Sequence, residues 1–365
     1  MAAFETAMRL GLEGVHRLRL NGLARRILPC EGIIFALHRV QSASDKSFAP
    51  NRLLEVTPEF LEETIKTVRA NGFDIISLDA ALHRLASPVE RPFACFTFDD
   101  AYRDNKDYAA PILSKHGVPF TIYVPEHFAD GTGQLWWVEL ELAVAACSTL
   151  AVPEVLQHVK LACSTAAEKA EAFRQIYWRL RQMDEVRARA IVRQMCSRAG
   201  VDVSRVCKEL IMSWDELREL GKNPHVTFGA HTIGHYAVAE LHPAQALHEM
   251  VASKARVEAE LGRECRHFCY PYGDTASASD RDFLLAQKAG FASAVTMRKG
   301  LIGTSQTANL MALPRCSLNG NFQDQRYVTA LLSGLPFFLW NGLFERLPAM
   351  VPSRRLRPLM GGGQS

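Results

Sequence analysis

Phe96-Thr97-Phe98-Asp99-Asp100 ends an apolar, strand-like run with two adjacent carboxylates, and a second such run ends far downstream at His231-Thr232-Ile233-Gly234-His235. Alternate side chains of a strand share a face, so Thr97 and Asp99 face one way and the two phenylalanines the other. Carboxylate oxygen and imidazole nitrogen are ligands that zinc and similar metals accept, and three protein ligands leave a position for water. Brought side by side, the two runs predict a site for a divalent metal, with the second carboxylate left as a base.

Strand-like and helical segments alternate around these motifs. Gly32–Leu37 and Val226–Ala230 are apolar runs of strand length, and Thr57-Pro58-Glu59 combines an N-cap, a proline at N1 and an early acid that together begin a helix. Repeated βα units of this kind favour a parallel sheet covered by helices, as either a barrel or an open doubly wound sheet. Asp99-Asp100 and His231–His235 both lie at the carboxyl ends of predicted strands. The catalytic residues of α/β barrels lie at this end of the strands.

The βα pattern divides the chain into three parts. We predict an α/β barrel domain over residues 31–320, with a helical insertion at about 131–210 where glycine is scarce and apolar residues recur at helical spacing. Residues 1–30 interleave arginines with apolar residues, which is typical of a basic amphipathic helix. Residues 321–365 begin with an apolar segment and end in a basic, glycine-rich tail that we expect to be disordered.

Composition excludes several classes of protein. The 365 residues are 48% hydrophobic and 22% charged, as in ordinary globular proteins, and a net charge of +3 is too small to indicate a nucleic-acid partner. The nine cysteines form no CxxC pair, which favours buried free thiols over a disulfide framework and fits a reducing compartment. The N-terminal residues show no secretory signal pattern, so we expect a cytoplasmic protein.

Two segments bear on membrane association. The basic helix of residues 1–27 either packs on the domain or lies on an anionic membrane surface. The apolar segment of residues 327–344 is interrupted by glycine and proline and is barely long enough to span a bilayer, so we interpret it as buried or interfacial. Peripheral membrane contact through either segment is therefore an expectation that stays open.

The motifs resemble those of the polysaccharide deacetylases of the NodB-homology type, carbohydrate esterase family 4. The TFDD motif of that family matches Thr97–Asp100, and its H-[ST]-x-x-H motif matches His231–His235. Its R-x-P-Y-G motif corresponds to Cys269–Gly273, with cysteine in place of the arginine. The resemblance covers residues 31–320 apart from the insertion and implies a distorted (β/α)7 barrel.

The resemblance also implies a role for each matching residue. Asp99 would be the general base, and the backbone N–H of Tyr272 would help to hold the oxyanion. Asp100, His231 and His235 would bind a divalent metal, and Zn²⁺ is the ion that we expect. The implied reaction is removal of N-acetyl groups from an oligosaccharide or glycan that contains N-acetylglucosamine, such as a chitooligosaccharide.

Two departures from the family pattern affect the site. Cys269 replaces the arginine that braces the base, and no histidine follows His267 to act as the general acid of the family. We expect Arg315 to send its guanidinium to Asp99, with a surface or packing role as the alternative. We expect His38, after the first strand, to supply the proton, because the first and last strands of a closed barrel are neighbours; a structural histidine is the alternative.

Two other functions stay open at this stage. A carbon–nitrogen hydrolase on the same barrel could act on a small amide or ureide. A non-catalytic, glycan-binding barrel would explain the missing arginine and histidine, although the joint presence of Asp99, Asp100 and both motif histidines disfavours it. Assays on chitotetraose and on small amides separate the glycan deacetylase from the small-amide hydrolase.

Overall fold

The computed structural model describes residues 30–87, 89–303 and 309–344, with isolated residues 11, 13, 14, 24 and 28, and leaves the side chains of 340–344 undescribed. The strands are β1 (Gly32–Leu37), β2 (Arg39–Val40), β3 (Glu55–Val56), β4 (Asp74–Ile75), β5 (Phe93–Phe98), β6 (Phe120–Val124), β7 (Thr149–Ala151), β8 (Lys160–Ala162), β9 (Val226–Ala230), β10 (His267–Cys269), β11 (Ser293–Lys299) and β12 (Leu313–Ser317). Eight of them form a parallel sheet in the order β1-β12-β11-β10-β9-β6-β5-β4, and the first seven of this order make up the barrel. The sheet closes because β5 pairs back with β1, from Phe93 opposite Gly32 to Phe98 opposite Leu37. The structure is thus the (β/α)7 barrel, and the open sheet is excluded.

Helices lie between and after the strands. They are α1 (Pro58–Ala70), α2 (Leu78–Leu85), α3 (Ala110–Lys115), α4 (Glu126–Ala129), α5 (Trp136–Ala146), α6 (Pro153–Leu156), α7 (Ala166–Leu180), α8 (Glu185–Arg198), α9 (Val206–Leu210), α10 (Trp214–Leu220), α11 (Pro243–Leu261), α12 (Asp280–Lys288), α13 (Gln325–Leu332) and α14 (Leu335–Phe344). Short 3₁₀ helices cover Pro50–Leu54, Val238–Glu240 and Leu310–Ala312. Within the described ranges, none of the helices combines the length and apolarity needed to cross a bilayer.

Local signals explain where these elements begin. The Thr57 hydroxyl accepts a hydrogen bond from the backbone of Phe60 at 3.1 Å and caps α1, as the sequence predicts. The predicted capping box of Ser213 and Glu216 begins α10. Ser77 caps α2 in the same way, so β4 ends earlier than the apolar run after Asp74 suggests.

Two parts of the chain differ from the sequence prediction. Where a helix is expected over residues 108–116, the chain is α-helical from Ala110 to Lys115 and continues a π-helical turn over Asn105–Ala109. The segment between β6 and β9 contains helices α5 to α9, as expected, but also an antiparallel hairpin of β7 and β8. Most of residues 1–30, and the tail beyond 344, lie outside the described residues, so the predicted helix and disordered tail stay predictions.

Side chains alternate across the barrel wall and form two hydrophobic layers. Phe96 and Phe98 of β5 belong to the large outer core between strands and helices. Cys95, on the other face of the same strand, packs inside the barrel with Tyr123 and Cys269. The next inward positions toward the carboxyl end of β5 are polar, and there the apolar filling of the barrel gives way to the site.

A glycine in the barrel wall supplies a test of this packing. A Cβ atom on Gly229 would lie 2.5 Å from the ring of Tyr123 and 2.7 Å from the carbonyl oxygen of His267. We expect Gly229→Ala to lower the free energy of unfolding by about 3 kcal/mol, because a packed core cannot yield to the added carbon. Gly262 follows the last residue of α11 and has a left-handed φ of 63°, with open space where a Cβ atom would lie. Gly262→Ala should therefore lower the free energy of unfolding by only about 1 kcal/mol. Urea denaturation followed by circular dichroism measures both, and equal losses would contradict the packing argument.

Candidate functional site

A sharp turn after β5 sends two adjacent carboxylates in different directions. The backbone N–H of Asp99 donates to the carbonyl of Leu37 at 2.9 Å, so the ladder with β1 continues one residue past the strand. Asp100 and Ala101 then adopt left-handed φ values of 69° and 55°. As a result Asp99 contacts Arg315, whereas Asp100 contacts the two histidines after β9.

Left-handed backbone is concentrated at this end of the barrel. Of the six non-glycine residues with positive φ in the described ranges, five lie at the site: Asp100, Ala101, Thr232, His235 and Tyr272. Each such residue costs about 1–3 kcal/mol and persists only where its surroundings enforce it. Thr232 contributes locally, since its hydroxyl accepts from the backbone of His235 at 2.9 Å. The site is therefore a strained region that neighbouring elements must hold.

Asp100, His231 and His235 form a buried cluster that could hold a metal ion. Asp100 Oδ1 lies 3.2 Å from His235 Nε2 and 3.6 Å from His231 Nε2, and the candidate ligand atoms all lie within 4.8 Å of one another. Asp100 Oδ1 and His235 Nδ1 are buried without a hydrogen-bond partner. Two imidazole nitrogens and one carboxylate oxygen are a donor set that fits Zn²⁺. An orphaned carboxylate oxygen at the centre of this set is what an absent cation would leave.

The protonation of His231 suits metal binding. Its Nδ1 lies 2.6 Å from the carbonyl oxygen of Cys269, which can only accept, so Nδ1 carries the hydrogen and Nε2 keeps its lone pair. Burial, reinforced by the neighbouring His235, lowers the pKa of His231 to about 4. The imidazole is therefore neutral at pH 7, with its free nitrogen toward Asp100.

Arg315 of β12 fills the space beside Asp99. Nη1 and Nη2 of this guanidinium donate to the two carboxylate oxygens of Asp99, each at 2.7 Å. Its other hydrogens go to the Thr97 hydroxyl at 3.1 Å, the Thr296 carbonyl at 3.0 Å and the Cys269 sulfur at 3.1 Å. All five N–H groups of a guanidinium thus have acceptors, although the side chain is fully buried.

This pairing determines the ionisation of Asp99. Burial by itself would raise the pKa of the Asp99 carboxyl, but the charge of Arg315 and its two hydrogen bonds outweigh burial. The pKa of Asp99 therefore lies well below its usual range, and the carboxylate stays ionised at any physiological pH. The sequence motif has Cys269 where an arginine is expected. The Arg315 guanidinium lies against the Cys269 sulfur and pairs with Asp99 from there.

His38 lies on the far side of Asp99. Its Nε2 is 3.9 Å from Asp99 Oδ2, and its side chain keeps 19% of its surface exposed. Two residues that follow the Asp99-Asp100 turn fix the backbone around His38. The Asn105 amide donates to the His38 carbonyl at 2.7 Å, and Asp104 accepts from Arg39 at 2.8 Å. For Asp104 and Asn105 the sequence gives only a weak signal, because they are simply polar residues that follow the motif at the end of a strand.

Helices between β6 and β9 hold the loop of Tyr272. The Tyr272 hydroxyl donates to Glu185 Oε1 at 2.8 Å and accepts from the indole N–H of Trp136 at 2.8 Å. The guanidinium of Arg181 lies 3.7 Å from the centre of the Tyr272 ring. Burial raises the pKa of Tyr272 well above its usual value, so the hydroxyl remains protonated. Within the described ranges, the backbone N–H of Tyr272 donates no hydrogen bond to the protein.

The same helices hold the histidine loop. Arg189 of α8 donates to the carbonyl of Gly234 at 2.9 Å and to that of His235 at 2.7 Å, and it pairs with Glu185 at 2.7 Å. Glu185 in turn accepts from the backbone of Ala237 at 3.0 Å. Sequence reasoning missed Glu185 and Arg189, because an acid and an arginine four residues apart are typical of an exposed helical ion pair.

A cavity of about 750 Å³ opens above these groups. Its floor contains His38, Asp99, Asp100, His231 and His235. Pockets of roughly 300–1,000 Å³ commonly bind small ligands, so the space exceeds what a lone metal ion and its waters need. The arrangement combines a metal-type donor set, an ionised carboxylate and an imidazole at the floor of a ligand-sized cavity.

Comparison with known proteins gives a family and a fold. The family model described as "Polysaccharide deacetylase" matches residues 86–294, more than half of the chain. The Streptococcus pyogenes deacetylase PplD in complex with acetate is 16% identical, with a TM-score of 0.53 over 84% of this chain and 98% of that one. IcaB from Ammonifex degensii is 16% identical, with a TM-score of 0.51 over 83% of this chain and 97% of that one. A polysaccharide deacetylase from Bacillus cereus is 13% identical, with a TM-score of 0.51 over 83% and 70%. No curated protein sequence matches the chain.

The buried ion pair predicts a pH-dependent effect of Arg315→Met. In the wild type the folded pKa of Asp99 lies below the unfolded value of about 3.9, so the pair stabilises above that pH and the stabilisation is lost only as pH falls through the folded pKa. Without Arg315, burial raises the pKa of Asp99. The cost of burying the charged carboxylate then disappears as the group is protonated at lower pH. We expect a loss of about 3–5 kcal/mol at pH 7 that shrinks toward pH 4.

Urea unfolding of the metal-free protein at both pH values measures this loss. The exposed Arg179→Met is the matched control, with a small loss that does not change with pH. A loss for Arg315→Met that is the same at pH 7 and pH 4 would contradict the ionisation of Asp99.

Arg189→Met tests whether α8 positions the histidine loop. We expect zinc affinity to fall by about 10–100-fold, because the carbonyls of Gly234 and His235 lose the donor that fixes the loop. Isothermal titration calorimetry measures the affinity, and circular dichroism checks the fold. Arg187→Met on the same helix, where the side chain is exposed, should bind zinc like the wild type. Equal affinities for both variants would show that α8 does not support the site.

Proposed function

This chain belongs to the polysaccharide deacetylase family, and we propose that it is a metal-dependent hydrolase that removes the N-acetyl group from an oligosaccharide or glycan containing N-acetylglucosamine. Family membership implies a hydrolase acting on carbon–nitrogen bonds; the acetylated sugar substrate is our proposal. One observation carries it: a metal-type cluster of Asp100, His231 and His235 lies beside a buried carboxylate, Asp99, that Arg315 keeps ionised. The completeness of this set disfavours a non-catalytic barrel.

Asp100, His231 and His235 would hold the metal, and we propose Zn²⁺ because nitrogen and carboxylate oxygen are its ordinary ligands. When bound, such a cation acidifies a coordinated water and polarises a carbonyl oxygen. The protein prepares this set without the ion, since the Cys269 carbonyl fixes the His231 tautomer. The packed rings of Phe128 and Trp137, 5.3 and 5.2 Å from the His235 ring, restrict that second ligand.

Asp99 is the proposed general base. It is ionised, it lines the cavity, and the two hydrogen bonds from Arg315 fix the plane of its carboxylate. Those bonds leave each oxygen a further lone pair that can accept the proton of the attacking water. Arg315 is a positioning residue here, because it touches the base and lies buried beneath it.

His38 is the proposed general acid, and Tyr272 the proposed oxyanion donor. A departing amine needs a proton, since its anion is too basic to leave unassisted. The partly exposed His38 imidazole lies on the cavity side of Asp99 and can deliver that proton. The Tyr272 backbone N–H, turned by its left-handed φ of 59°, would donate to the developing oxyanion.

We propose that the protein works in the cytoplasm on an N-acetylated glycan or glycan precursor, with peripheral contact to a membrane. All nine cysteines are free, and seven of them are buried, which supports a reducing compartment. Helix α14 leaves Phe338 60% and Leu339 42% exposed, which supports contact through the 327–344 segment. Contact through residues 1–27 rests on the sequence alone.

The proposed roles separate in two variants. We expect wild type and Asp99→Asn to bind one equivalent of zinc, while acetate release from chitooligosaccharides falls by about 10²–10⁴-fold in Asp99→Asn. Asp100→Asn should lose both the metal and the activity. Elemental analysis and an acetate assay measure these quantities, with the exposed Asp107→Asn as control. Full activity of Asp99→Asn, or a wild type that binds no metal, would contradict the proposal.

His38→Gln tests the proton donor. We expect deacetylation of an N-acetylated sugar to fall by about 10²–10⁴-fold, because the amine can no longer be protonated as it leaves. Hydrolysis of 4-nitrophenyl acetate should change far less, because nitrophenolate leaves without a proton. The ratio of the two rates is the measurement. A similar fall on both substrates would assign His38 a structural role.

A further inference from the structure

The walls of the cavity differ chemically from its floor. Helix α7 and the 3₁₀ helix Pro50–Leu54 both line the space, and the rings of Phe48 and Phe173 meet edge to face at 6.5 Å where the two segments join. The side chains that they present are mainly apolar: Leu53, Leu54, Ala167, Ala170, Phe173 and Trp178. This surface, which we call the α7 wall, is continuous with the proposed catalytic floor.

The α7 wall exposes large apolar side chains to solvent. Leu53 is 47% exposed and Trp178 is 50% exposed, one on each of the two wall segments. The small side chains of Ala167 and Ala170 line the same cavity. Exposed apolar side chains that line one cavity beside a proposed catalytic centre are typical of a surface that a ligand covers.

Several polar side chains of the cavity walls are already engaged by the protein. Both amide hydrogens of Asn51 are donated, to the Trp137 carbonyl at 2.9 Å and to Glu141 at 2.7 Å. On α7, Glu171 accepts from both Arg174 and Gln175.

Beyond the end of α7, Arg181 stacks on Tyr272 and donates to Ser277 at 3.0 Å. A glycan along the α7 wall would bring hydroxyl groups that lose water and find few free partners, which is unfavourable. A hydrocarbon chain brings no hydroxyl groups that must lose water, and it would gain from burial.

We propose that the substrate is an amphiphile, which is an inference that rests on the proposed function. An N-acetylated sugar would lie at the catalytic floor, joined to an alkyl, acyl or isoprenoid chain along the α7 wall. The cavity volume of about 750 Å³ accommodates both parts. The wall acts on binding and not on the chemical step, because its side chains lie away from the reacting acetyl group. The hydrocarbon should therefore lower KM and leave kcat nearly unchanged.

Two substrate series test the proposal. The first is methyl, butyl and octyl N-acetyl-β-glucosaminide, below the micellar concentration, and the second is chitobiose to chitotetraose. We expect kcat/KM for acetate release to rise at least tenfold from methyl to octyl, a fraction of what full burial of seven methylene groups would give. A ratio near one, or a comparable rise with added sugars instead, would overturn the proposal, the latter by showing that the wall stacks sugar rings.

A charge on the wall provides the matched variant. Ala170→Glu, at an exposed position of α7, should bring the octyl-to-methyl ratio close to one. Arg179→Gln carries the same change in charge at an exposed position of α7 outside the cavity and should keep the wild-type ratio. A wild-type ratio in Ala170→Glu would overturn the proposal.

Calorimetric binding of the same glycosides separates this inference from the proposed function. Absence of acetate release from every compound would contradict the deacetylase assignment. Tighter binding of the octyl than of the methyl glycoside would still support an apolar subsite in that case, and equal binding would overturn it.

Discussion

A buried guanidinium against a buried carboxylate organises the open end of this barrel. Arg315 comes from β12 and Asp99 from the end of β5, so their bidentate pair ties the last strand to the acidic turn. Removing two charges from water is costly, and the pair persists because each of the five guanidinium hydrogens has an acceptor. The pair keeps Asp99 ionised, with both carboxylate oxygens bound to the guanidinium. Asp100 is then the carboxylate that meets His231 and His235.

The elements between β6 and β9 complete what the barrel begins. The strained loops of the histidine motif and of Tyr272 converge on Glu185 and Arg189, which bind their backbone or side chains within 3.0 Å. The same region supplies α7, and with it one side of the cavity. It therefore shapes both the metal-type cluster and the space above it.

The sequence predicted those features that depend on local spacing. Asp99 and Asp100 end β5 because a period of two and an apolar run define a buried strand, and Thr57 caps α1 because its hydroxyl acts within one turn. The β7–β8 hairpin was missed because strands of three residues are too short to show a period of two in the sequence. The contacts of Arg189 could not be predicted, because they join residues about 45 apart in a geometry that only the packing of α8 against the loop defines.

X-ray absorption at the zinc edge tests the central claim most directly, because the described residues offer two overlapping clusters. Asp100, His231 and His235 would give a first shell of nitrogen and oxygen at about 2.0–2.1 Å with outer scattering from two imidazoles. The second cluster, Asp99 with His231 and Cys269, would add sulfur at about 2.3 Å and one imidazole. We predict the first spectrum, with no sulfur and with Asp99 outside the metal shell, paired with Arg315. Sulfur in the first shell would contradict it.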